Sequence, residues 1–365
     1  EISRDFGSKP LLDKDYRSLL GNRDIDAVII ATPDHWHCLQ MVDAVSAGKH
    51  VYIEKPISNS ISEAKWMVDA ANYHKTVVQV GQWQRSGKHW SDAIDYVHSG
   101  ALGQIRTVKA WAYMDWLKSI PVRPDTKVPS GVDYDMWLGP APDRPFNTNR
   151  FHFTFRWFWD YAGGLMTDWG VHLLDVVLWG MNATTPNRIV SSGGNFAYPN
   201  SAMETPDTQQ AIFEFPDFTM IWEHANGIGL GPYQRSHGIA FIGNNGTLIV
   251  DRGGWEVLPE IESEQGAKKS KVEPVERRSA KPGETGLAQH TSNFVNAIRE
   301  NEELNCDINV GSLAAINAHM GNVALKTRTS LVWNHQSQTF DSNDEANVLM
   351  APVYRTPWST PSKKS

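Results

Sequence analysis

The sequence predicts an α/β domain built on a parallel sheet, followed by an α+β domain built on a mostly antiparallel sheet. Up to about residue 105, apolar strands alternate with helices of roughly a dozen residues, which is typical of parallel strands with right-handed crossovers. Beyond that point strand-like segments follow one another with few helices between them. A length of 365 residues also exceeds what one core usually supports. We expect domains at 1–104 and 105–340 and a tail at 341–365.

In the first domain the sequence predicts strands that alternate with helices. A continuous apolar run over Asp26–Thr32, ended by Pro33, is typical of a strand buried on both faces. Two more strands are expected at His50–Ile53 and Thr76–Val80. Apolar spacing and capping residues predict helices between and around them, at Asp15–Leu20, His37–Ala47, Ile61–Tyr73 and Trp90–His98.

The second domain has a different pattern. Strands are predicted by alternating or continuous apolar residues at Ile105–Trp116, Arg188–Asn195, Gln210–Phe215, Thr219–His224, Ile239–Ile242 and Thr247–Val250. Helices are predicted at Gly163–Met181, His290–Arg299 and Gly311–Thr327. The segment Glu262–Gly286 is rich in Lys, Glu and Ser, so we expect an exposed loop there.

The composition excludes several classes of protein. A net charge of −7 argues against a nucleic-acid-binding protein, which usually carries a basic surplus. Two cysteines, Cys38 and Cys306, are too few for a disulfide scaffold or a multi-cysteine zinc ribbon. No apolar run approaches the ~20 residues that a membrane helix needs, so no membrane partner is expected.

The strongest local motif lies at the ends of two predicted parallel strands. Ala31–His37 follows the first and Gly48–Pro56 contains the second, and ligands bind at this edge of open α/β sheets. Lys55, between Glu54 and Pro56, could be partly desolvated there and exchange protons with a substrate. A surface lysine at a strand end is the equally weighted alternative.

A second motif lies in the predicted helix Gly163–Met181. Asp168 and His172 are four residues apart, which places them on one face of a helix. A carboxylate beside an imidazole is a common acid–base arrangement. The alternative is a capped helix with a purely structural contact between these two side chains.

Aromatic residues are concentrated before this motif. The chain has 15 tryptophans, and Trp111, Trp116, Trp137, Trp157, Trp159, Tyr161 and Trp169 fall between residues 110 and 170. Flat rings suit the apolar faces of sugars, although about half of these residues could instead pack an interface. The predicted substrate-binding residues are Arg85, His89, Asp115, Trp116, Arg156, Trp157, Trp159, Asp160, Tyr161 and Trp169. His35 and His37 lack a third ligand at a recognised spacing, so no metal site is predicted.

Taken together, these motifs resemble the Gfo/Idh/MocA family, the group of glucose–fructose oxidoreductase and inositol dehydrogenase. The resemblance runs over nearly the whole chain. Its segments are Asp26–Pro33, Glu54-Lys55-Pro56, Val80-Gly81, Leu102–Ile105, Gly163–His172, Asn293–Arg299 and Asp307–Gly311. The His-Trp-His variant, Gly246–Asp251 and the Tyr354–Trp358 ending look like a bacterial subgroup whose members are often exported through twin-arginine signals, so either a cytoplasmic or a periplasmic location is expected.

The resemblance implies a Rossmann domain that binds NAD, with NADP not excluded, and a second domain whose sheet covers the nicotinamide. It implies that His172 takes a hydroxyl proton, Lys55 polarises that oxygen and Asp168 orients His172. The implied cofactor-side residues are Thr32, Pro33, His35, Trp36, His37, Glu54, Lys55, Pro56 and Gln82. The implied partners are a carbohydrate-like small molecule and further copies of the chain, as a dimer or tetramer.

One family feature is missing from the sequence. The Gly-x-Gly-x-x-Gly turn that follows the first Rossmann strand is absent, and Glu1–Gly7 already looks like the end of the helix after the second strand. We therefore expect a domain without its first strand–helix–strand unit, with a gap in the middle of its sheet. Three functions stay open: an NAD(P)-dependent dehydrogenase or reductase of a sugar, cyclitol or sugar acid, an NAD-dependent glycoside hydrolase and a non-catalytic sugar-binding relative.

Overall fold

Three parallel strands form the sheet of the first domain in the computed structural model, which describes residues 7, 9–264 and 267–361. They are β1 (Ala27–Ile30), β2 (His50–Ile53) and β3 (Val78–Val80), adjacent in that order. Pairs such as Val28 with Val51 and Val51 with Val78 set the register. The predicted strands are confirmed. The helix end predicted at Glu1–Gly7 lies outside the described residues, apart from Gly7.

Helices cover this sheet where periodicity predicts them. They are α1 (Tyr16–Leu20), α2 (Asp34–Ser46), α3 (Ile61–His74) and α4 (Lys88–His98), with a 3₁₀ turn at Trp83–Ser86. Asp15 caps α1 by accepting from the Arg17 amide, and Ser60 caps α3 by accepting from the Glu63 amide. Helix α2 begins three residues before the predicted start, so it includes residues that were expected in a loop.

The sheet of the first domain has no internal gap within the described chain. β1 forms its edge, pairing only with β2 among the described residues, and Ile29 is 74% exposed there. The expected gap in the middle is thus wrong for these strands, which pair directly with one another. The opposite edge is bordered by late residues, since the Val80 amide donates to the Cys306 carbonyl at 2.9 Å and Gln79 bridges to Asp307.

The second domain is built on a ten-stranded, mostly antiparallel sheet, as predicted. Its order is β13-β10-β9-β8-β4-β7-β6-β5-β14-β15, and only β4 and β7 pair in parallel. The strands are β4 (Ile105–Met114), β5 (Arg188–Gly194), β6 (Thr208–Glu214), β7 (Thr219–Asn226), β8 (His237–Gly243), β9 (Gly246–Asp251), β10 (Gly254–Pro259), β13 (Val275–Ser279), β14 (Leu331–Asn334) and β15 (Thr339–Phe340).

Helices of the second domain connect it to the first. They are α5 (Tyr134–Leu138), α6 (Gly164–Asp168), α7 (Gly170–Met181), α8 (Leu287–Glu300), α9 (Ile308–Thr327) and α10 (Asp344–Val348), with 3₁₀ turns at Thr148–Arg150, His152–Trp157 and Pro232–Gln234. Helix α9 lies against β3 so closely that a Cβ atom on Gly311 would come 2.5 Å from Val80 Cγ2. In the described part of the chain, no helix has the length and apolarity to cross a membrane.

The segment Glu262–Gly286 is not the loop that its polarity suggested. It contributes to a ribbon of β11 (Ile261–Glu264) and β12 (Ala267–Ser270) and supplies β13 at the edge of the large sheet. Apart from partly buried residues such as Val272 and Val275, the segment is largely exposed up to the start of α8. Strands that face water on both sides carry no apolar alternation, which is why the sequence did not reveal them.

The tail returns to the first domain. The Tyr354 hydroxyl donates to Glu63 Oε1 at 2.6 Å, and the Trp358 ring packs on Trp36 with centroids 4.9 Å apart. Burial, the largest influence, raises the pKa of the Glu63 carboxyl to about 7. These contacts hold the segment after α10 against α2 and α3.

Many of the tryptophans lie in the core. Trp90, Trp111, Trp157, Trp222 and Trp255 are at most 2% exposed. Two predicted substrate-binding residues share this position, since Trp157 is 1% and Tyr161 0% exposed. Their assignment to a binding surface is therefore wrong. Burying a large aromatic ring stabilises the fold, so aromatic residues often lie in the core. The number of aromatic residues near a motif therefore does not show whether their rings are buried or line a binding surface.

Candidate active site

The carboxyl ends of the three parallel strands converge on one edge. Thr32 follows β1, Glu54 and Lys55 follow β2, and Gln82 follows β3. Parallel strands bring these ends together, which is where α/β sheets bind ligands. This geometry places the first sequence motif as predicted.

Lys55 links the first domain to the second. Its Nζ atom donates to Asp168 Oδ1 and to the Asp168 carbonyl, both at 2.9 Å. Arg156 Nε lies 3.4 Å from the same Oδ1. Burial acts to raise the pKa of Asp168, but the two cations outweigh it and hold the pKa below its usual range. The carboxylate thus stays ionised and fixes the ammonium group of Lys55.

His172 lies beside this pair with its ring free. The residue is 5% exposed, and its Nδ1 atom is buried with no hydrogen-bond partner among the described residues. The rings of Trp169 and Trp83 flank it at centroid distances of 6.1 and 6.4 Å. Burial first, then the charges of Lys55 and Arg252, lower its pKa well below 6.5. The imidazole is therefore neutral at physiological pH and able to accept a proton.

Asp168 and His172 do not share a helix. Helix α6 ends at Asp168 and α7 begins at Gly170, with Trp169 between them. The hydrogen bonds of the Asp168 carboxylate go to Lys55, and its second cation is Arg156. The structure therefore pairs Asp168 with Lys55, and it records no hydrogen bond between the Asp168 carboxylate and the His172 ring among the described residues.

The histidines of the first motif serve structural contacts. They lie in the first turn of α2 rather than in a loop, and both are at most 3% exposed. His37 Nδ1 and Nε2 lie 2.7 and 2.8 Å from the carbonyl oxygens of Pro56 and Thr32, so the ring ties two strand ends together. His35 Nε2 lies 3.0 Å from the Trp137 carbonyl. Burial lowers the pKa of each ring to about 4.

Other residues predicted on the cofactor side also form structural contacts. The Trp36 indole donates to the Met136 and Trp137 carbonyls at 3.1 Å, which fixes α2 to α5. Pro33 precedes the first turn of α2, and the Thr32 hydroxyl donates to Gln40. These contacts anchor the segment between β1 and α2.

Glu54 and Gln82 lie closer to Lys55. Glu54 Oε2 accepts from the Lys55 amide at 3.2 Å, and burial raises the pKa of this carboxyl. It packs so near β3 that a Cβ atom on Gly81 would come within 2.9 Å of Oε2. The side-chain amide of Gln82 donates from Nε2 to the Val171 carbonyl at 3.4 Å, so this side chain reaches α7 one residue before His172.

Among the predicted substrate-binding residues, Arg156, Trp169 and Trp116 are connected to this site. The Arg156 guanidinium carbon lies 4.6 Å from the centre of the Phe153 ring, on which Trp116 also packs at 6.0 Å. Trp116 is 48% exposed. Phe153 and Trp116 thus form a partly open aromatic surface next to Arg156, which pairs with Asp168, while Trp169 packs beside His172.

The remaining predicted substrate-binding residues have other partners. Arg85 Nε pairs with Asp175 at 2.8 Å, and His89 Nε2 lies 3.2 Å from the Asp251 carbonyl. Asp160 pairs with Arg144 at 2.8 Å, and the Lys326 ammonium lies 4.0 Å from the centre of the Trp159 ring. The Asp115 carboxylate has no ion pair with any described residue. None of these contacts joins the group at Lys55.

Four residues around the site were not singled out from the sequence: Asp34, Trp83, His237 and Arg252. Asp34 is 7% exposed, and burial together with Asp168 raises its pKa to about 8. The sequence signal for Asp34 is its place in a Thr-Pro-Asp segment, but such a segment is equally typical of the start of a helix. The other three depend on sheet register and ring packing, which spacing does not reveal.

Replacing Asp34 with asparagine is expected to flatten the pH dependence of stability. The folded pKa of about 8 lies above the ordinary 3.8, so this group's contribution is complete at low pH and is lost as pH rises through 8. The slope is at most about 1.4 kcal/mol per pH unit. Thermal melts between about pH 5 and pH 8.5 measure it. Asp69→Asn, on the exposed side of α3, is the control, and an unchanged slope in Asp34→Asn contradicts the expectation.

Comparison with known proteins identifies the chain. Residues 2–82 match the family described as "Oxidoreductase family, NAD-binding Rossmann fold", and residues 96–195 match the "Oxidoreductase family, C-terminal alpha/beta domain". The chain belongs to the Gfo/Idh/MocA family. The resemblance drawn from the two motifs is thereby confirmed, and so is the two-part fold.

Relatives of this Gfo/Idh/MocA chain include both dehydrogenases and a glycosidase family. Levoglucosan dehydrogenase of Pseudarthrobacter phenanthrenivorans is 34% identical over 116 residues, 32% of this chain and 30% of that protein. Glycosyl hydrolase family 109 protein 1 of Shewanella sp. ANA-3 is 31% identical over 93 residues, 26% of this chain and 20% of that protein. The chain thus aligns with well under half the length of these curated relatives.

Solved structures share the fold over most of its length. Levoglucosan dehydrogenase in complex with NADH and levoglucosan superposes with a TM-score of 0.64 at 18% identity, covering 90% of this chain and 85% of that one. Aldose-aldose oxidoreductase from Caulobacter crescentus gives 0.61 at 19% identity, covering 87% and 82%. At these identities the likeness describes the architecture of the Gfo/Idh/MocA chain.

Proposed function

We propose that the protein is an oxidoreductase that transfers hydride between the nicotinamide of NAD(H) and a hydroxyl carbon of a sugar, a cyclitol or a sugar derivative. One observation carries the proposal. The Lys55 ammonium, fixed by Asp168 from the other domain, lies beside a buried imidazole without a partner, at the strand edge where α/β sheets bind ligands.

The donor set at this edge fits the nicotinamide end of the cofactor. Glu54 and Gln82 flank Lys55 with polar groups, while Trp83 and Trp169 supply flat apolar surface next to His172. When bound, the nicotinamide supplies the hydride acceptor. NAD is the proposed cofactor, and NADP is not distinguished by these residues.

Within the proposed reaction each residue has one task. The Lys55 ammonium donates to the oxygen of the reacting hydroxyl and stabilises the charge that develops on it. The neutral His172 ring accepts the hydroxyl proton as the C–H bond is broken. Asp168 and Arg156 hold Lys55 in position. The low pKa of His172 means that the imidazolium formed returns its proton readily.

Carbohydrate-like substrates are supported by the aromatic surface and by the names of the relatives. Trp116, Phe153 and Trp169 offer ring faces near the site, and relatives are named for levoglucosan and aldoses.

We further propose homo-oligomerisation, as a dimer or tetramer, through the open face of the large sheet. Val190, Ile212 and Val332 on that sheet are each at least 37% exposed.

Nicotinamide binding and turnover test the proposal directly. The purified chain is titrated with NAD⁺ and NADP⁺ by calorimetry and then assayed for NAD(P)H formation with a panel of sugars and cyclitols. Saturable binding and turnover with at least one polyol are expected. A chain that binds neither nucleotide fails the proposal and favours the non-catalytic sugar-binding alternative.

A second candidate function is an NAD-dependent glycoside hydrolase. The similarity to glycosyl hydrolase family 109 proteins favours it. Such an enzyme oxidises the sugar transiently and returns the hydride, so it shows no net change of the cofactor. Nitrophenyl glycosides incubated without free sugar separate the two functions: nitrophenol release with no net NADH favours the hydrolase.

A further inference from the structure

An arginine from the second domain is held between two tryptophans next to the active site. Arg252 lies in the turn between β9 and β10, and its guanidinium carbon is 4.4 Å from the centre of the Trp169 ring and 5.0 Å from that of Trp83. The same two rings flank His172. A guanidinium packed on aromatic faces is stabilised most when water is excluded. Its position is therefore defined by rings that also border the reacting groups.

This guanidinium lacks the partner that its neighbours have. Asp251 pairs with Arg235 at 3.1 Å and with Arg277 at 2.7 Å, and Arg235 also contacts Glu256. Arg252 forms no ion pair or hydrogen bond with any described residue, and its Nε atom is buried. A buried donor without an acceptor costs free energy. The Nε–H group of Arg252 is thus available to an acceptor on a ligand.

The charges around Arg252 favour an anionic ligand. Asp168 is the acidic group that faces Arg252, but Lys55 and Arg156 already pair with it. His237 packs on Trp169 at 4.8 Å with its Nε2 atom buried and without a partner in the described chain. Burial and then Arg252 lower the pKa of His237 to about 4. The ring is neutral, so it does not compensate the charge of Arg252, which has no anionic partner of its own among the described residues.

We propose that Arg252 binds the carboxylate of the substrate, so that the preferred substrates are sugar acids, such as uronates, rather than neutral sugars. A carboxylate accepts two parallel N–H bonds from a guanidinium fork, and Trp83 and Trp169 keep that fork in plane. The inference rests on the proposed oxidoreductase function and specifies its substrate class.

Pairs of sugars that differ only in the carboxylate test the inference. Glucuronate with glucose, galacturonate with galactose and mannuronate with mannose are compared by KM and kcat in NAD⁺ reduction, and by quenching of tryptophan fluorescence, which reports binding without turnover. At least one uronate is expected to bind about 10- to 100-fold more tightly than its neutral partner. Arg252→Gln is expected to remove that preference, and Arg252→Lys to restore part of it.

Arg278→Gln is the matched control, because Arg278 also stacks on a tryptophan, Trp255 at 4.8 Å, but lies on the exposed edge strand β13. It is expected to keep the uronate preference. Uronate binding that depends on Arg252 without NADH formation supports the inference and rejects the proposed reaction. Turnover of neutral sugars with no uronate preference, tighter binding of sugar phosphates, or no binding of any uronate overturns the inference.

Discussion

Lys55→Met is expected to lower kcat by about 10²- to 10³-fold, the usual effect of removing one preorganised donor to a developing oxyanion. Methionine replaces the apolar stem of the lysine side chain but has no ammonium group and cannot donate to the reacting oxygen. Arg156 still pairs with Asp168, so the carboxylate does not become an isolated buried charge and the fold should persist. Steady-state kinetics with a substrate found in the panel measures the effect, and thermal melting checks the fold.

The control for this substitution is Lys88→Met, since Lys88 is an exposed lysine on α4 whose partner is Asp92. Its kcat should equal that of the unmodified protein. If Lys55→Met turns over near normally while its melting temperature is unchanged, Lys55 does not act on the substrate. A matching loss in Asp168→Asn, with kcat affected more than KM, would show that the carboxylate works through Lys55.

His172→Ala is expected to lower kcat by about 10²- to 10⁴-fold, the range for a general base. The buried ring accepts no hydrogen bond from the described residues, so its loss removes little that the fold uses. His98→Ala, on the exposed side of α4, is the control. Normal turnover in a folded His172→Ala protein would reject its role as the base.

The pH profile gives a second test of His172. Only the neutral ring accepts a proton, and its pKa is lowered well below 6.5 by burial and then by Lys55 and Arg252. Oxidation should therefore continue undiminished as the pH falls to 6.5, and decline only under more acidic conditions. An acidic limb centred at or above pH 7 would show that another group provides the base.

The position of Lys55 could be predicted from the sequence because it is tied to a local feature with a fixed geometric meaning. A residue just after a buried parallel strand must lie at the ligand-binding edge, whatever follows it in the chain. The expected pairing of Asp168 with His172 depends on an unbroken helix through Trp169. In the structure one helix ends at Asp168, the next begins at Gly170, and the Asp168 carboxylate accepts from the Lys55 ammonium group.

Arg252 and His237 could not be predicted in this way. They come together because β8 and β9 pair with Ile239 opposite Val250, which sets the start of one strand beside the end of the other. Nothing local to either residue encodes that register. Trp157 and Tyr161 were predicted to bind substrate but are buried. Aromatic residues near a motif have the same sequence pattern whether they line a cleft or fill the core beneath it.

The bridge between Gln79 and Asp307 also bears on how the chain is made. During synthesis β3 leaves the ribosome long before the residues that border its edge, and at ~5–20 residues per second the interval is roughly 10 to 45 s. For that time the nascent chain presents an unprotected apolar strand edge, the kind of surface on which chains associate wrongly. Expression at lower temperature or with more chaperone should therefore raise the yield of native protein through this step.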